Sequence, residues 1–336
     1  MSPELVHMYR GGLLDCIYRG DVAVVDALGN VQFWVGNVEK VAFLRSAAKP
    51  VQVLPVLTSG AIERFGIQPP EVAIMAASHS GEERHVAVVK GILDKLGLEP
   101  SHLQCGTHVP FLGPSPYAIY QRGEEPTALH NACSGKHCGM LALALQQGWD
   151  LIDYVDLGHP VQQQMLHAFA EVADMAGEEV EIGIDGCGVP VFGVTLRKMA
   201  YCYARLVMPE RLPERWRAAA RQITTAMTAH PEMVGGEARL CTDAMRVVGN
   251  GLIAKLGADG IYCFGIPQLG LGVAIKAEDG NLRAVEAAAV EVLAQLGVLD
   301  EKQLQDLSRY HRPQNYSCRG DVVGGIRPVF SLERSA

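Results

Sequence analysis

The sequence predicts a mixed α/β (α+β) fold. Its central, largely antiparallel sheet is formed from both chain ends, with helices around it and a helical subdomain between. Three observations predict this. Strand-like segments come early and late, helical periodicity dominates the middle, and no internal repeat or Ser/Pro-rich linker divides the 336 residues. The chain therefore reads as a single domain with subdomains over 1–336.

The elements follow in order. "DVAVVDALGNVQFWV" (21–35) reads as two strands around a Gly-Asn turn, a hairpin pattern. "SAAKPVQVLPVLTSG" (46–60) reads as a helix, with Ser46 as N-cap and Pro50 in the first turn. "EVAIMAAS" (71–78) is a short apolar run, read as a buried strand ending at Ser78. "EERHVAVVKGILDKLG" (82–97) has the helical period and a terminal glycine. After Gly135, "MLALALQQGW" (140–149) is apolar nearly all round, as a buried helix is. "PVQQQMLHAFAEVADMAG" (160–177) starts with proline and stops at glycine. Residues 213–229 and 238–248 are also expected to be helical. "GIYCFGI" (260–266) and "GLGVAIKAEDGNLRAVEAAAVEVLAQLG" (270–297) predict strand, strand, turn and helix. In that helix Val285, Ala289, Val292 and Leu296 recur at helical spacing.

Composition narrows the function classes. Apolar residues at 49% and charged residues at 20% describe a soluble globular protein, with a modest formal charge of −8. Basic residues are scattered, so no nucleic-acid footprint is present. The N-terminal segment has neither a basic n-region nor an unbroken apolar stretch, and no run approaches a membrane span. Nine cysteines without framework spacing fit a reducing compartment, so a cytoplasmic protein is expected.

Four stretches carry residues capable of chemistry. "RSAAKP" spaces Ser46 and Lys49 so that they share a helical face. A serine hydroxyl needs a base to become a nucleophile, and lysine serves only if burial or a second cation lowers its pKa. The same letters also describe a helix cap and a solvated lysine. In "ASHSGEERH" (77–85), Ser80 with Glu83 reads as a capping box, which leaves Ser78 as the freer hydroxyl. "HNACSGKHCGM" (130–140) holds Cys133 and Cys138, spaced more widely than C-x-x-C and forming a lone pair, which argues against a four-cysteine site. "IDGCGVP" (184–190) places Cys187 between glycines and close to Asp185. A cysteine near His137 also suits a thiol nucleophile, and any free cysteine can be a small core residue. On spacing alone, a metal site and a thiol enzyme stand level.

Taken together, "RSAAKP", "ASHSGE", "HNACSGKHCGM", "DGCGVP", "HPEMVGG" (230–236) and "AKLGADGIYC" (254–263) come in this order over residues 45–263. This series resembles the Rhizobium-type (class 3) zinc-containing L-asparaginases, which differ from the threonine-nucleophile asparaginases of enteric bacteria. The resemblance implies a fold like serine β-lactamases and penicillin-binding proteins, in agreement with the S-x-x-K reading. It also implies hydrolysis of L-asparagine to L-aspartate and ammonia.

The resemblance makes Ser46 and Lys49 one serine–lysine pair, and Ser78 and Lys255 the second. Ser46 is the expected nucleophile with Lys49 as base, while Ser78 and Lys255 tune that pair and relay protons. Zn²⁺ is the implied cofactor, with ligands at Cys133, Lys136 and Cys187. Arg45, His137 and Asp185 are implied to orient the substrate or the metal shell. Spacing alone nominates His137 or Cys138 rather than Lys136, because an ammonium must lose its proton before binding metal. A nearby Zn²⁺ favours that loss.

Lys255 is followed by Leu256 and Gly257 rather than by the K-T-G or K-S-G continuation of penicillin-handling relatives, and S-D-N is absent. Both departures speak against β-lactam chemistry. The alternatives are a glutaminase or other serine amidase, a metabolite-binding protein on the same fold, and a thiol-redox or metal-storage protein. Two intact serine–lysine pairs argue against the binding protein. The expected partners are a small-molecule substrate and a second copy in a homodimer, with no nucleic acid and no membrane.

Overall fold

The computed structural model describes residues 1–109, 115–121, 123 and 125–335. Two strands open the chain, Glu4–Arg10 (β1) and Leu13–Asp26 (β2). Along β2 the pattern changes: its first residues are mostly exposed, whereas the "GDVAVV" run before Asp26 is buried throughout. The further strands are Val31–Val35 (β3), Val41–Phe43 (β4), Glu181–Ile184 (β5), Pro190–Thr195 (β6), Ile253–Gly257 (β7), Ile261–Ile266 (β8), Leu271–Ala277 (β9), Gln314–Tyr316 (β10), Val322–Pro328 (β11) and Glu333–Arg334 (β12).

Among the described residues, a nine-stranded sheet runs β10-β11-β1-β2-β9-β8-β7, with β3 beside β2 and β12 beside β3. A three-stranded sheet runs β4-β6-β5. Every pairing is antiparallel. The large sheet draws on both chain ends, as the sequence predicts. The expected hairpin at 21–35 forms with Val22 opposite Val35.

Strand β8 is buried at every residue, so both of its faces are covered. Helices Leu196–Val207 and Leu282–Gln295 pack on β8 and β9, and the near-continuous apolar sequence of these strands follows from that cover. The helix Glu83–Leu96 ends on left-handed Gly97 as expected. Helices Ser134–Gln147, Glu214–Ala229 and Leu240–Val248 also match their sequence readings. Among the described residues no helix is long and apolar enough to cross a membrane.

Four expectations are corrected. Residues 71–78 are not a strand: a helix spans Pro69–Met75, and Ala77 to Ser80 form the loop after it. The prolines occupy its first positions, and the Glu71 carboxylate accepts the N–H of Gln68 at 2.7 Å. A short apolar run has no period of its own, so these start signals decide it. The helix starting at Pro160 ends at Ala173 on left-handed Asp174 rather than at Gly177, because aspartate tolerates that conformation. Ser46 is not an N-cap, since the helical run begins as a 3-10 turn over Arg45–Ala48 with Leu44 before it. Ser80 and Glu83 form no capping box: Glu82 is the N-cap, and Ser80 Oγ donates to the Gly235 carbonyl at 2.9 Å.

Helix Ser134–Gln147 lies against helix Pro69–Met75 through Gly135, where a Cβ would stand 2.2 Å from the Ile74 carbonyl oxygen. The glycine in "CSGKHCG" is thus a packing requirement. Gly135→Ala should destabilise the protein by about 1–3 kcal/mol, read as a lower urea midpoint at unchanged m-value.

Candidate active site

The 3-10 turn Arg45–Ala48 runs directly into the helix Lys49–Gln52. Arg45 has φ 51°, a left-handed conformation rarely adopted by a side chain of this size. Tyr203 Oη donates to the Ala47 carbonyl at 2.8 Å and holds the turn down. Ser46 stands on the wall of a cavity of about 520 Å³. Among the described residues its hydroxyl has no side-chain partner.

Lys49 is fully buried. Its ammonium donates to the carbonyl of Ala77, to Ser78 Oγ at 3.2 Å and to the carbonyl of Ala132 at 3.4 Å. The expected Ser46–Lys49 hydrogen bond is therefore not formed. A buried ammonium needs acceptors, and the lysine chain reaches past Ser46 to find them.

Lys255 comes from β7, equally buried, and donates to Ser78 Oγ at 2.8 Å and to the Leu256 carbonyl at 2.8 Å. Both lysines thus meet on one serine, which also lines the cavity. Burial lowers the Lys255 pKa first and the charge of Lys49 lowers it further, to about 7. An amine with that pKa can exchange a proton near neutrality.

The cysteines enter from two elements. Cys133 precedes helix Ser134–Gln147, and its N–H donates to Asn131 Oδ1 at 2.8 Å. Cys187 sits in the β5–β6 hairpin, where Asp185 N–H donates to the Val189 carbonyl and Gly188 turns at φ 86°. Both cysteines line the cavity. Lys136 Nζ lies 3.4 Å from Cys187 Sγ. A hydrogen bond from the Cys187 thiol, with the charges of Lys49 and Lys136, holds the Cys133 thiol well below its ordinary pKa. The same hydrogen bond, together with burial, pushes Cys187 up.

Among the described residues no group of three or more His, Cys, Asp and Glu side chains is placed to hold a metal. A site here would need an amine as third donor. Two thiols and the Lys136 amine would suit a soft-ligand ion such as Zn²⁺. Burial favours the neutral Lys136 amine, but Cys187, Cys133 and Asp185 outweigh it and raise the pKa. Binding an ion at this amine would have to displace its proton.

The remaining expected residues separate. Arg45 donates from Nε to Asp185 at 2.8 Å and forms a second ion pair with Asp259. Burial works against the Asp185 charge, but Lys136 and Arg45 hold its carboxyl below the usual range. His137 lies behind the cavity, fully buried, with Nδ1 2.7 Å from Tyr154 Oη. Burial pushes its pKa well down, so it stays neutral. Cys138 is a core residue whose thiol burial pushes up.

Sequence reasoning missed Asp259, Arg239 and Asn131, all on the cavity wall. Asn131 and Asp259 lie within quoted motifs, and Arg239 falls just after one, but none has partners at a diagnostic spacing.

The family model described as L-asparaginase II matches residues 6–328. No curated protein is similar enough to match. Among solved structures, the chain is similar to a putative beta-lactamase from Bacteroides dorei at 12% identity and a TM-score of 0.45, covering 82% of this chain and 93% of that one. It is similar to a D-alanine carboxypeptidase from Burkholderia cenocepacia at 16% identity and a TM-score of 0.38, covering 82% and 93%. It is also similar to a Bacillus glutaminase at 12% identity and a TM-score of 0.37, covering 83% and 91%. With a family match running through nearly the whole chain and through every motif that builds the cavity, this protein belongs to the L-asparaginase II family.

Proposed function

We propose that the protein hydrolyses L-asparagine to L-aspartate and ammonia by serine–lysine acyl transfer. The observation that carries this reading is the convergence of two buried lysine amines on Ser78, beside a second serine hydroxyl with no side-chain partner. In this reading Ser46 Oγ attacks the side-chain carboxamide carbon. Its proton passes to Ser78 Oγ while the Ser78 proton passes to neutral Lys255. The relay returns a proton to the departing nitrogen as the C–N bond breaks, and ammonia leaves. Water then attacks the acyl-serine ester along the same relay, which releases aspartate.

Lys49 supports this by its charge, which helps keep Lys255 unprotonated near neutrality. The left-handed Arg45 immediately before Ser46 is strain of the kind stored at reacting groups. Asp185, oriented by Arg45, offers a carboxylate for the substrate ammonium. Cys133, Lys136 and Cys187 would hold Zn²⁺, and a bound ion would supply positive charge for positioning the substrate's polar groups. Nine free cysteines support a cytoplasmic location, and a homodimer is part of the same reading.

A second reading, with Ser78 as the nucleophile, is favoured by one observation: both amines bond to Ser78 and neither to Ser46. Mass spectrometry of enzyme quenched during turnover should find the acyl adduct on the Ser46 peptide. An adduct on Ser78 would select the second reading. Ser46→Ala should abolish ammonia release from asparagine, and Ser78→Ala should lower kcat by about 10²–10⁴. Asparagine should exceed glutamine in kcat/KM; the reverse order would make the protein a glutaminase.

The pH profile follows from Lys255. The base is the neutral amine, so kcat/KM should rise as pH increases through about 7 and level off above it. A profile that is flat from about pH 5 to 8 would exclude a lysine with that pKa as the base.

Metal analysis tests the cysteine set. Cys133→Ser and Cys187→Ser should each lower bound zinc, since hydroxyls are far weaker ligands than thiolates. Cys138→Ser should leave zinc content unchanged, because that thiol packs in the core. Zinc lost from Cys138→Ser and retained in Cys187→Ser would overturn the ligand set.

A further inference from the structure

Among the described residues two arginines line the cavity, and they differ in what surrounds them. Arg45 is committed to two carboxylates, Asp185 and Asp259. Arg239 is 7% exposed, and among the described residues no carboxylate pairs with it. Its one side-chain hydrogen bond there runs from Nη1 to Ser80 Oγ at 3.3 Å. A guanidinium is a planar fork with several donors, and among the described residues most of this fork has no hydrogen-bond partner. The Glu286 carboxyl feels its charge without forming an ion pair with it. A buried cation without a counter-ion is costly, and this one stands on the wall of a binding cavity.

Its placement is built into the fold. Ser78 N–H donates to the Val234 carbonyl at 3.0 Å, and Ser80 Oγ donates to the Gly235 carbonyl at 2.9 Å. The loop that carries Arg239 is thereby fastened to the loop that carries Ser78. Ala238, just before Arg239, adopts φ 57°, a left-handed conformation disfavoured for alanine. The chain thus accepts local strain where it sets the guanidinium. An ω-amide of an α-amino acid bears a carboxylate a few bonds from its amide carbon. Ser46, Ser78 and Arg239 line the same cavity, so an amide held at the serines has its carboxylate in the space that Arg239 borders. A guanidinium fork is the side chain best matched to a carboxylate's two oxygens.

We propose that Arg239 binds the substrate's α-carboxylate and restricts turnover to short amides carrying a free carboxylate. This rests on the amidohydrolase reading above. The test compares two asparagine fragments as competitive inhibitors: succinamate, which keeps the carboxylate and lacks the amine, and β-alaninamide, which does the reverse. Arg239→Gln should weaken succinamate by about thirtyfold or more and β-alaninamide by no more than about twofold. The KM for asparagine should rise more than kcat falls. Arg239→Lys, which keeps the charge but not the fork, should give an intermediate succinamate constant, and it carries the comparison if Arg239→Gln does not fold. Equal weakening of both fragments, or of neither, would overturn the assignment. Calorimetric titration of the same fragments reads the anchor independently of turnover, so absence of asparagine hydrolysis would sink the activity and not this site.

Discussion

Two fully buried lysine amines share one serine hydroxyl at the cavity wall, and much of the architecture answers the demands of that arrangement. Each ammonium removed from water needs acceptors. Lys49 finds them in the carbonyls of Ala77 and Ala132, and Lys255 in the carbonyl of Leu256. The helix Lys49–Gln52, the loop after Met75, the turn before helix Ser134–Gln147 and the strand β7 must therefore meet at one point. Neither burial nor mutual repulsion can be relieved there without moving one of those elements. The Lys255 shift from 10.5 to about 7 means that, relative to water, the interior moves the balance toward the neutral amine by roughly 5 kcal/mol. A lysine in water is almost wholly protonated at neutral pH, so an amine that titrates there is made by the fold and not by the residue type.

The same field reaches the cysteines. Lys49 contributes to lowering both the Lys255 amine and the Cys133 thiol. One positive charge therefore favours a neutral amine on one side and a thiolate on the other. The thiolate in turn works against further loss of Lys255 basicity, since its negative charge raises that pKa. Serine pair and cysteine pair are thus electrostatically joined, although they are drawn from different elements. A change of charge at the cysteines has to be felt at Lys255.

What was legible in the sequence follows the range of the interactions that create it. The hairpin β2–β3, the strands β8 and β9 and the helix Glu83–Leu96 rest on local period and local end signals, and they are read correctly. The run 71–78 is apolar without a period, so only Pro69, Pro70 and Glu71 distinguish helix from strand. Strand β1 depends on β11, with Val6 opposite Pro328, a partner that no local window contains. At the site, Ser46, Ser78, Cys133 and Cys187 could be singled out in their local stretches, whereas Lys255 comes only with the family resemblance carried by the ordered motifs. The partner of Lys49 could not. A separation of three positions suggests Ser46, whereas the lysine's reach is decided by carbonyls from two distant loops. Arg239 and Asp259 are single charged residues in loops, with nothing in their spacing to mark them.

The rim of the cavity shows how the two sheets are brought to one site. Arg45 precedes Ser46 and follows β4 of the small sheet. Asp185 lies in the β5–β6 hairpin of that sheet, and Asp259 lies in the β7–β8 turn of the large one. One guanidinium therefore ties three loops from two sheets. The two ties differ in strength. The Asp185 side chain is only 10% exposed, so its pair with Arg45 works in a poorly screened environment, whereas the Asp259 side chain is 72% exposed. An exposed pair contributes little. The β7–β8 turn is held instead by its large-sheet neighbours, since Lys276 Nζ donates to the Asp259 carbonyl and the Ala277 N–H to the Gly260 carbonyl, both at 2.8 Å. Arg45 therefore fixes the Ser46 turn to the small sheet through its buried pair with Asp185, while the large-sheet wall of the cavity is set by its own strands.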